Sequence, residues 1–190
     1  MELIRPTHHH LSDYAAALKR GWAPDNLRAA STQDELDAIA RNPDRFLSAF
    51  EDREAVGGPI TLPDGTRAPR LPGIKRCIWS DGFCGIIGLR WQPGTEELPP
   101  HCCGHVGYSV VPWRRREGLA TRALQALLPE AKKTGLRYIE AATNPENIPS
   151  IKVIESAGGV LVERCRVADC LGGVEAVRFH IRLGDEGDSF

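Results

Sequence analysis

The sequence predicts a mixed α/β fold, a central sheet with helices on its faces. Three observations carry this. Short segments between residues 75 and 111 read as antiparallel strands joined by turn residues. One long amphipathic helix then lies between two strands, so those strands form a parallel pair with a right-handed crossover. A second helix and a final hairpin follow, and antiparallel and parallel pairing together give a mixed sheet covered by helices.

The elements follow in order. Leu11, Ala15 and Leu18 fall at helical spacing, which predicts a helix over residues 11–20 with Ser12 or Asp13 as cap and Gly21 and Pro24 as its end. Thr32 to Ala40 is a second helical segment; Asn42-Pro43 interrupts it, and Asp44 to Glu51 continues as a separate turn. Residues 57–73, GGPITLPDGTRAPRLPG, form an irregular excursion around a Pro-Asp-Gly turn. Lys75–Ser80 and Phe83–Trp91 are strands joined by Asp81-Gly82 in a primed turn, with Gly85 and Gly88 marking a bulge or a close backbone approach.

A loop over residues 92–103 leads to a strand at His105–Val111, closed by Pro112. The next helix presents Ala120, Ala123, Leu124, Leu127, Leu128 and Ala131 on one face, with Pro129 expected to kink it and Gly135 to cap it. Arg137–Ala142 is a strand. Asn147 caps a short helix, Ile148–Ser156, which Gly158 ends. Val160–Val167 and Val174–Arg182 make the final hairpin around Gly172-Gly173, and GDEGDSF is a frayed tail.

At 190 residues the chain fits one domain, taking about 150 residues per domain. Apolar residues are 42% and charged residues 26%, which excludes disordered, collagenous and membrane-bundle chains. Basic residues number 24 against 25 acidic ones, a net charge of −1, so nothing global points to nucleic acid or to a membrane as partner. No stretch approaches the ~20 apolar residues that cross a bilayer, and the start, MELIRPTHHH, has no signal core, so a cytoplasmic protein is expected. Cys77, Cys84, Cys102, Cys103, Cys165 and Cys170 form no CxxC pair; they read as reduced thiols, and no metal is expected. His8-His9-His10 reads as solvated surface.

The stretch that carries chemistry is Val110 to Thr121, VVPWRRREGLAT. A strand ends, arginines follow, and Gly118 stands where the amphipathic helix begins. The first-turn amides of a helix have no intrahelical partners, and the dipole adds partial positive charge there. Gly118 removes a side chain that would hold an anion off those amides. Together these features describe a phosphate cradle; the alternative is a plain β–α turn with surface arginines.

Arg115-x-x-Gly118-x-Ala120, following Val110-x-Pro112, resembles the acyl-CoA pyrophosphate loop of the GNAT superfamily of N-acetyltransferases. Asn147, Ser150 and Gly158 in NIPSIKVIESAGG resemble that family's later Asn-containing helix and its closing glycine. The likeness covers residues 75–182 best, within one domain of residues 1–190. It implies a GNAT-like acyltransferase fold whose strands at 105–111 and 137–142 splay into a wedge, with acetyl-CoA as cosubstrate. By the same resemblance the backbone of Val110 and Val111 holds the pantetheine arm. The amides of Arg115, Arg116, Glu117, Gly118, Leu119, Ala120 and Thr121 hold the pyrophosphate, and Asn147 bonds a pantetheine amide with Ser150 beside it. One of Arg114, Arg116 and Arg122 is a further candidate for a CoA phosphate.

The family transfers acetyl directly to an amine, which must first be neutral. At pH 7 that costs about 4–5 kcal/mol for a lysine-like amine and about 1.4 for an α-amino group. Protonating a leaving thiolate contributes at most about 2 kcal/mol. The sequence departs from the family where many members place a tyrosine as general acid, seven residues after Asn147: here it is Ile154. Tyr108 is then the nearest tyrosine for that role. His105 and Glu140 are the candidate bases, beside a water chain. A covalent cysteine route through Cys102 or Cys103 lacks a supporting His/acid pattern.

The leading reading is an N-acetyltransferase acting on a small-molecule or peptide amine. A CoA-binding sensor with little or no catalysis is the alternative, and a nucleotide-binding domain unrelated to CoA is a third. The N-terminal helices with Asp34, Glu35 and Asp37, the 57–73 excursion and the 92–103 loop with Glu96 and Glu97 are where acceptor specificity is expected. The resemblance also suggests a homodimer.

Overall fold

The computed structural model describes residues 1–25 and 31–184. β1 (Glu2–Ile4) precedes α1 (His8–Lys19). Thr7 caps α1: its N–H and hydroxyl both lie within 3.0 Å of His10 Nδ1, which closes a capping box with a histidine as partner. The helix therefore starts three residues before the predicted start, and neither Ser12 nor Asp13 is the cap. The histidine run is its first turn, and His8 meets Asp44 at 2.8 Å.

α2 (Ser31–Arg41) and α3 (Pro43–Ser48) follow, α3 capped by Asn42 Oδ1, which accepts from Arg45 N–H at 2.9 Å. The chain then gives β2 (Glu51–Asp52) and the small hairpin β3 (Ile60–Thr61) and β4 (Arg67–Ala68), the ordered core of the predicted excursion. Asp64 in its turn accepts from the Thr66 N–H and hydroxyl. β5 (Gly73–Trp79) and β6 (Phe83–Arg90) are joined through Asp81 and Gly82, both at positive φ as a primed turn requires. β7 (Val106–Val110) leads through a 3₁₀ turn at Pro112–Arg114 into α4 (Leu119–Lys132). β8 (Tyr138–Thr143), α5 (Ile148–Ser156), β9 (Gly159–Arg166) and β10 (Glu175–Arg182) complete the fold. Of the predicted frayed tail, residues 185–190 lie outside the described residues.

The strands form two main sheets. One runs β1-β5-β6-β7 with β2 also beside β5; the other runs β8-β10-β9, and the ladders in both are antiparallel. The predicted parallel ladder between β7 and β8 does not form. Crossover helix α4 brings the strands together, but they meet at one isolated bridge, Gly104–Ala141, and diverge beyond it.

Two cores pin this arrangement. Leu119, Ala123, Leu124, Leu127 and Ala131 of α4 pack with Ile74, Ile87, Leu89, Ile139, Phe179 and Ile181, so one core spans both sheets. Val177, Phe179 and Ile181 face it, as their alternation with Arg178, His180 and Arg182 predicts. On the opposite face of the first sheet, Leu11, Tyr14, Leu18 and Trp22 pack with Phe46, Phe50, Phe83 and Val111. Trp22 Nε1 donates to Ser109 Oγ at 2.9 Å, and Ser109 donates onward to the Ala23 carbonyl, so the end of α1 is tied to β7. Tyr14 donates to Glu35 at 2.6 Å, tying α1 to α2.

Of the two glycines predicted for a close approach in β6, only Gly85 makes one. It has φ +143°, and an added Cβ would lie 2.1 Å from the Ser109 carbonyl of β7; at Gly88 the nearest atoms are at 3.4 Å, ordinary contact. Gly85→Ala should therefore cost about 3 kcal/mol or more in chemical denaturation, and Gly88→Ala under about 1. Equal costs for the two would contradict the register of β6 on β7.

Candidate functional site

The turn before α4 is held open by its own side chains. Arg114 makes a two-pronged bond to the Glu117 carboxylate, with Nε at 2.9 and 3.0 Å, and its Nη1 donates to the Ser80 carbonyl at 3.0 Å. Arg122 Nη2 donates to the Glu117 carbonyl at 3.2 Å. Arg114 and Arg122 are thus parts of the loop's frame. The Arg114 guanidinium beside Glu117 holds that carboxyl below its ordinary range. Arg114 and Glu117 cancel in charge, so Arg115, Arg116 and Arg122 leave this helix end positive.

Arg116 and Gly118 both take left-handed backbone, φ +67° and +69°. The first hydrogen bond of α4 is Arg122 N–H to Gly118 O, at 3.1 Å. Among the described residues no acceptor meets the N–H groups of residues 116–121. An added Cβ at Gly118 would meet nothing within 4 Å. The result is an open row of unsatisfied amides at a helix N-terminus, backed by arginines, which fits a diphosphate.

The strand beside it is equally unsatisfied. Arg90 N–H bonds the His105 carbonyl and Val111 N–H bonds the Cys84 carbonyl, so the odd residues of β7 spend their main chain on β6. By alternation Val106, Tyr108 and Val110 turn theirs away from β6, toward the side where no ladder with β8 exists. On β8, Glu140 bonds His105 through both main-chain groups, so Glu140 and Ala142 face β7. The gap is a wedge lined by main-chain donors and acceptors, able to take an extended amide-bearing chain as an added strand. Val110 carbonyl accepts from Arg115 Nε at 3.2 Å. Val111 differs from the sequence reading. Its N–H goes to Cys84 and its carbonyl accepts from Arg114 N–H, so of the pair only Val110 is turned to the wedge.

Asn147 caps α5: its Oδ1 accepts from Ser150 N–H at 3.3 Å, which leaves its side-chain NH₂ as a donor at an exposed position. Tyr108 reaches α5 as well, donating to the Ser150 carbonyl at 3.3 Å; burial pushes its phenol up, so it is a neutral donor. Ile154 is 1% exposed, inside the core shared by both sheets. Its side chain packs closely on Gly159, where an added Cβ would lie 2.5 Å from it.

His105, a candidate base by sequence, has no open lone pair in this arrangement. It is fully buried, its Nδ1 accepts the Glu140 N–H at 2.9 Å, and its Nε2 therefore carries the proton with no partner. Burial, with Arg90 second, pulls its pKa down to about 4. Glu140 lies 3.1 Å from Arg178 Nε and 3.9 Å from His180 Nε2; burial raises its pKa, and Arg178 works against that rise. Acidic groups in the regions expected to set acceptor specificity are partly engaged: Glu35 by Tyr14, Asp37 by Gln33, and Glu96 by Arg137, which pulls Glu96 down to about 2.

The sequence reading missed Gly104. It has φ +109°, and an added Cβ would lie 3.1 Å from the Glu140 carbonyl and 3.3 Å from Ala142 N. The glycine pair of contacts sits where β7 touches β8, and a glycine just ahead of a predicted strand was the available signal.

All six cysteines are free. Among the described residues no cluster of His, Cys, Asp or Glu suits a metal ion, and no helix is long and apolar enough to cross a membrane.

Residues 2–160 match the family model described as acetyltransferase (GNAT) domain. No curated protein sequence matches the chain. Among solved structures, the microcin C7 self-immunity acetyltransferase MccE, in complex with acetyl-CoA and AMP, is similar at TM-score 0.62 and 11% identity, over 95% of this chain and 91% of that one. RimL, a ribosomal L7/L12 α-N-protein acetyltransferase in complex with coenzyme A, is similar at 0.62 and 13%, over 97% and 95%. A putative ribosomal-protein-serine acetyltransferase from Vibrio cholerae is similar at 0.58 and 13%, over 95% and 92%. At these identities the likeness is one of fold.

The buried neutral His105 makes a pH prediction. Its pKa is about 4 folded and about 6.5 unfolded, so between those values the unfolded chain binds a proton that the folded chain does not. Its contribution is full above about pH 6.5 and is lost as pH falls toward 4, on the order of 3 kcal/mol. Glu140, raised by burial, acts in the opposite sense, and Arg90, Glu96 and His180 also face the ring. Comparing urea unfolding of wild type and His105→Asn from pH 7 to 4.5 isolates the histidine: the variant should lose distinctly less stability. Parallel curves would contradict a buried neutral ring.

Proposed function

We propose that this chain, which belongs to the GNAT acetyltransferase family, transfers the acetyl group of acetyl-CoA directly to an amine of a small molecule or peptide. The observation that carries the reading is the open row of amides at residues 116–121, continuous with the edge of β7 that no strand pairs. Diphosphate and pantetheine amides are what such surfaces would hold, the first at the α4 N-terminus, the second along Tyr108 and Val110 with the Asn147 NH₂ beside them. Bound acetyl-CoA supplies an activated thioester.

This chain's residues would do the rest. The Val110 N–H, turned into the wedge, is the candidate donor to the thioester carbonyl as negative charge develops there. Tyr108, neutral and partly buried, is the nearest phenol for the departing sulfur. The phenol is not indispensable, because protonating the departing thiolate contributes at most about 2 kcal/mol near neutral pH. The larger cost is neutralising the amine, about 4–5 kcal/mol for a lysine-like acceptor and about 1.4 for an α-amine. His105 is sequestered and Glu140 is held by Arg178, so water would take that proton, with desolvation lowering the amine pKa.

A second reading, a CoA-binding sensor with little turnover, is favoured by one observation: the position where many family members place the acid is the core residue Ile154.

Thermal unfolding with and without acetyl-CoA, CoA and ATP at matched concentrations tests the cradle. Cofactor at about 100 times its Kd should add about 2.7 kcal/mol, a shift of a few degrees. Gly118→Glu should abolish that shift, and the conservative core change Ile154→Val should keep it. A shift with ATP alone, or none, would sink the reading. An amine panel followed by CoA release then separates the two functions: turnover with some amine supports the enzyme, and tight binding without turnover supports the sensor.

A further inference from the structure

We infer that His105 is a positioning residue: its ring nitrogen stands in for the strand carbonyl that β8 would otherwise pair with, and so fixes where the cofactor wedge begins. The inference rests on the functional reading above. It grows from the joint between the two sheets, where the ladder is replaced by a few contacts. His105 N–H donates to the Glu140 carbonyl at 2.8 Å, and Glu140 N–H donates back to His105 Nδ1 at 2.9 Å. The second bond closes a ring that normally needs two main chains. Beside it Gly104, at φ +109°, lets the chain entering β7 approach β8 closely, an added Cβ lying 3.1 Å from the Glu140 carbonyl. Past this point β7 and β8 share no ladder.

The joint is anchored outward as well. The Glu140 carboxylate lies 3.1 Å from Arg178 Nε of β10, an ion pair short of an aligned hydrogen bond. Arg178 in turn bonds Glu163 of β9. A polar strap thus runs from β7 through β8 and β10 to β9, on the face of the second sheet opposite α4 and α5. Its central residue spends its main chain on His105 and its side chain on Arg178. The unpartnered, buried Nε2 of His105 is consistent with a ring retained for Nδ1 alone, since a residue kept as a base needs an open lone pair and this one has none.

The positioning role and a general-base role separate experimentally in the full-length chain. Asn places Oδ1 where His places Nδ1, so His105→Asn keeps the acceptor and cannot act as a base. Positioning predicts that His105→Asn keeps the acetyl-CoA Kd, measured by calorimetry, and kcat/KM on an amine from the panel within about threefold, with an unchanged pH profile. A general base predicts a fall of about a hundredfold or more in kcat and loss of the acidic limb, with Kd unchanged. That result would overturn the inference.

His105→Leu removes the acceptor and strands the Glu140 N–H. It should raise the acetyl-CoA Kd and KM by about tenfold while kcat at saturation changes less. An unaltered Kd there would also overturn the inference. Amide hydrogen exchange on the wild-type chain gives a readout that needs no variant and no activity. The Glu140 amide should exchange as slowly as the ladder amides of β8, and fast exchange would remove the clamp. A wild-type chain that binds no CoA would instead refute the functional reading, leaving the exchange result to decide the clamp.

Discussion

A strand inside a protein ordinarily spends its N–H and C=O groups on neighbours at both edges, because a buried main-chain group without a partner is costly. β7 spends them at one edge only. β6 takes the odd residues, and the even ones, with Val110 last, face a space that β8 leaves by diverging after Gly104. The remaining groups need either water or a ligand that resembles a strand. The rest of the molecule can be understood as what holds that gap open at one end and shut at the other.

At the open end the frame is electrostatic and local. Arg114 is bound to Glu117 and to the Ser80 carbonyl, so the loop before α4 is tied to the β5–β6 hairpin and its amides stay outward. Nearby, the chain Trp22–Ser109–Ala23 ties the N-terminal helices to β7 from the opposite face. The aromatic cluster of Tyr14, Trp22, Phe46, Phe50 and Phe83 makes that layer stiff, with ring centroids 5–6 Å apart in tilted and edge-on pairs. At the shut end the frame is the exchange between His105 and Glu140. The same two residues look, on type alone, like an acid–base pair. Their burial and hydrogen bonds engage them in the joint between the sheets.

That assignment shifts the chemical problem. Protonating a departing thiolate is worth at most about 2 kcal/mol near neutral pH, so for the proposed transfer the lack of a tyrosine at Ile154 is tolerable in energy. In the proposed transfer, neutralising the amine is the larger cost, and it would fall to water and to the site's dielectric. An acceptor with a less basic amine meets a smaller barrier under those conditions, by about 3 kcal/mol between a lysine-like amine and an α-amine.

The sequence by itself determined the elements from residue 75 onward, the amphipathic face of α4, the Asn147 cap and the open first-turn amides at Gly118. Each depends on contacts within a few residues: helical spacing, a capping side chain, the free amides of a first turn. It also carried the family likeness, because that motif is local. It misplaced the start of α1, since Thr7 and His10 make a capping box of an unusual composition, and it gave no sign of β1, whose three residues are too few for a pattern. Only the tertiary structure decided that Val111 is consumed by Cys84 and Arg114, that Ile154 is core, that Arg114 frames the loop, and that His105 is locked against Glu140. Each of those outcomes depends at least in part on partners tens of residues away along the chain, and a residue type states what bonds a side chain can make without stating which neighbour will claim them.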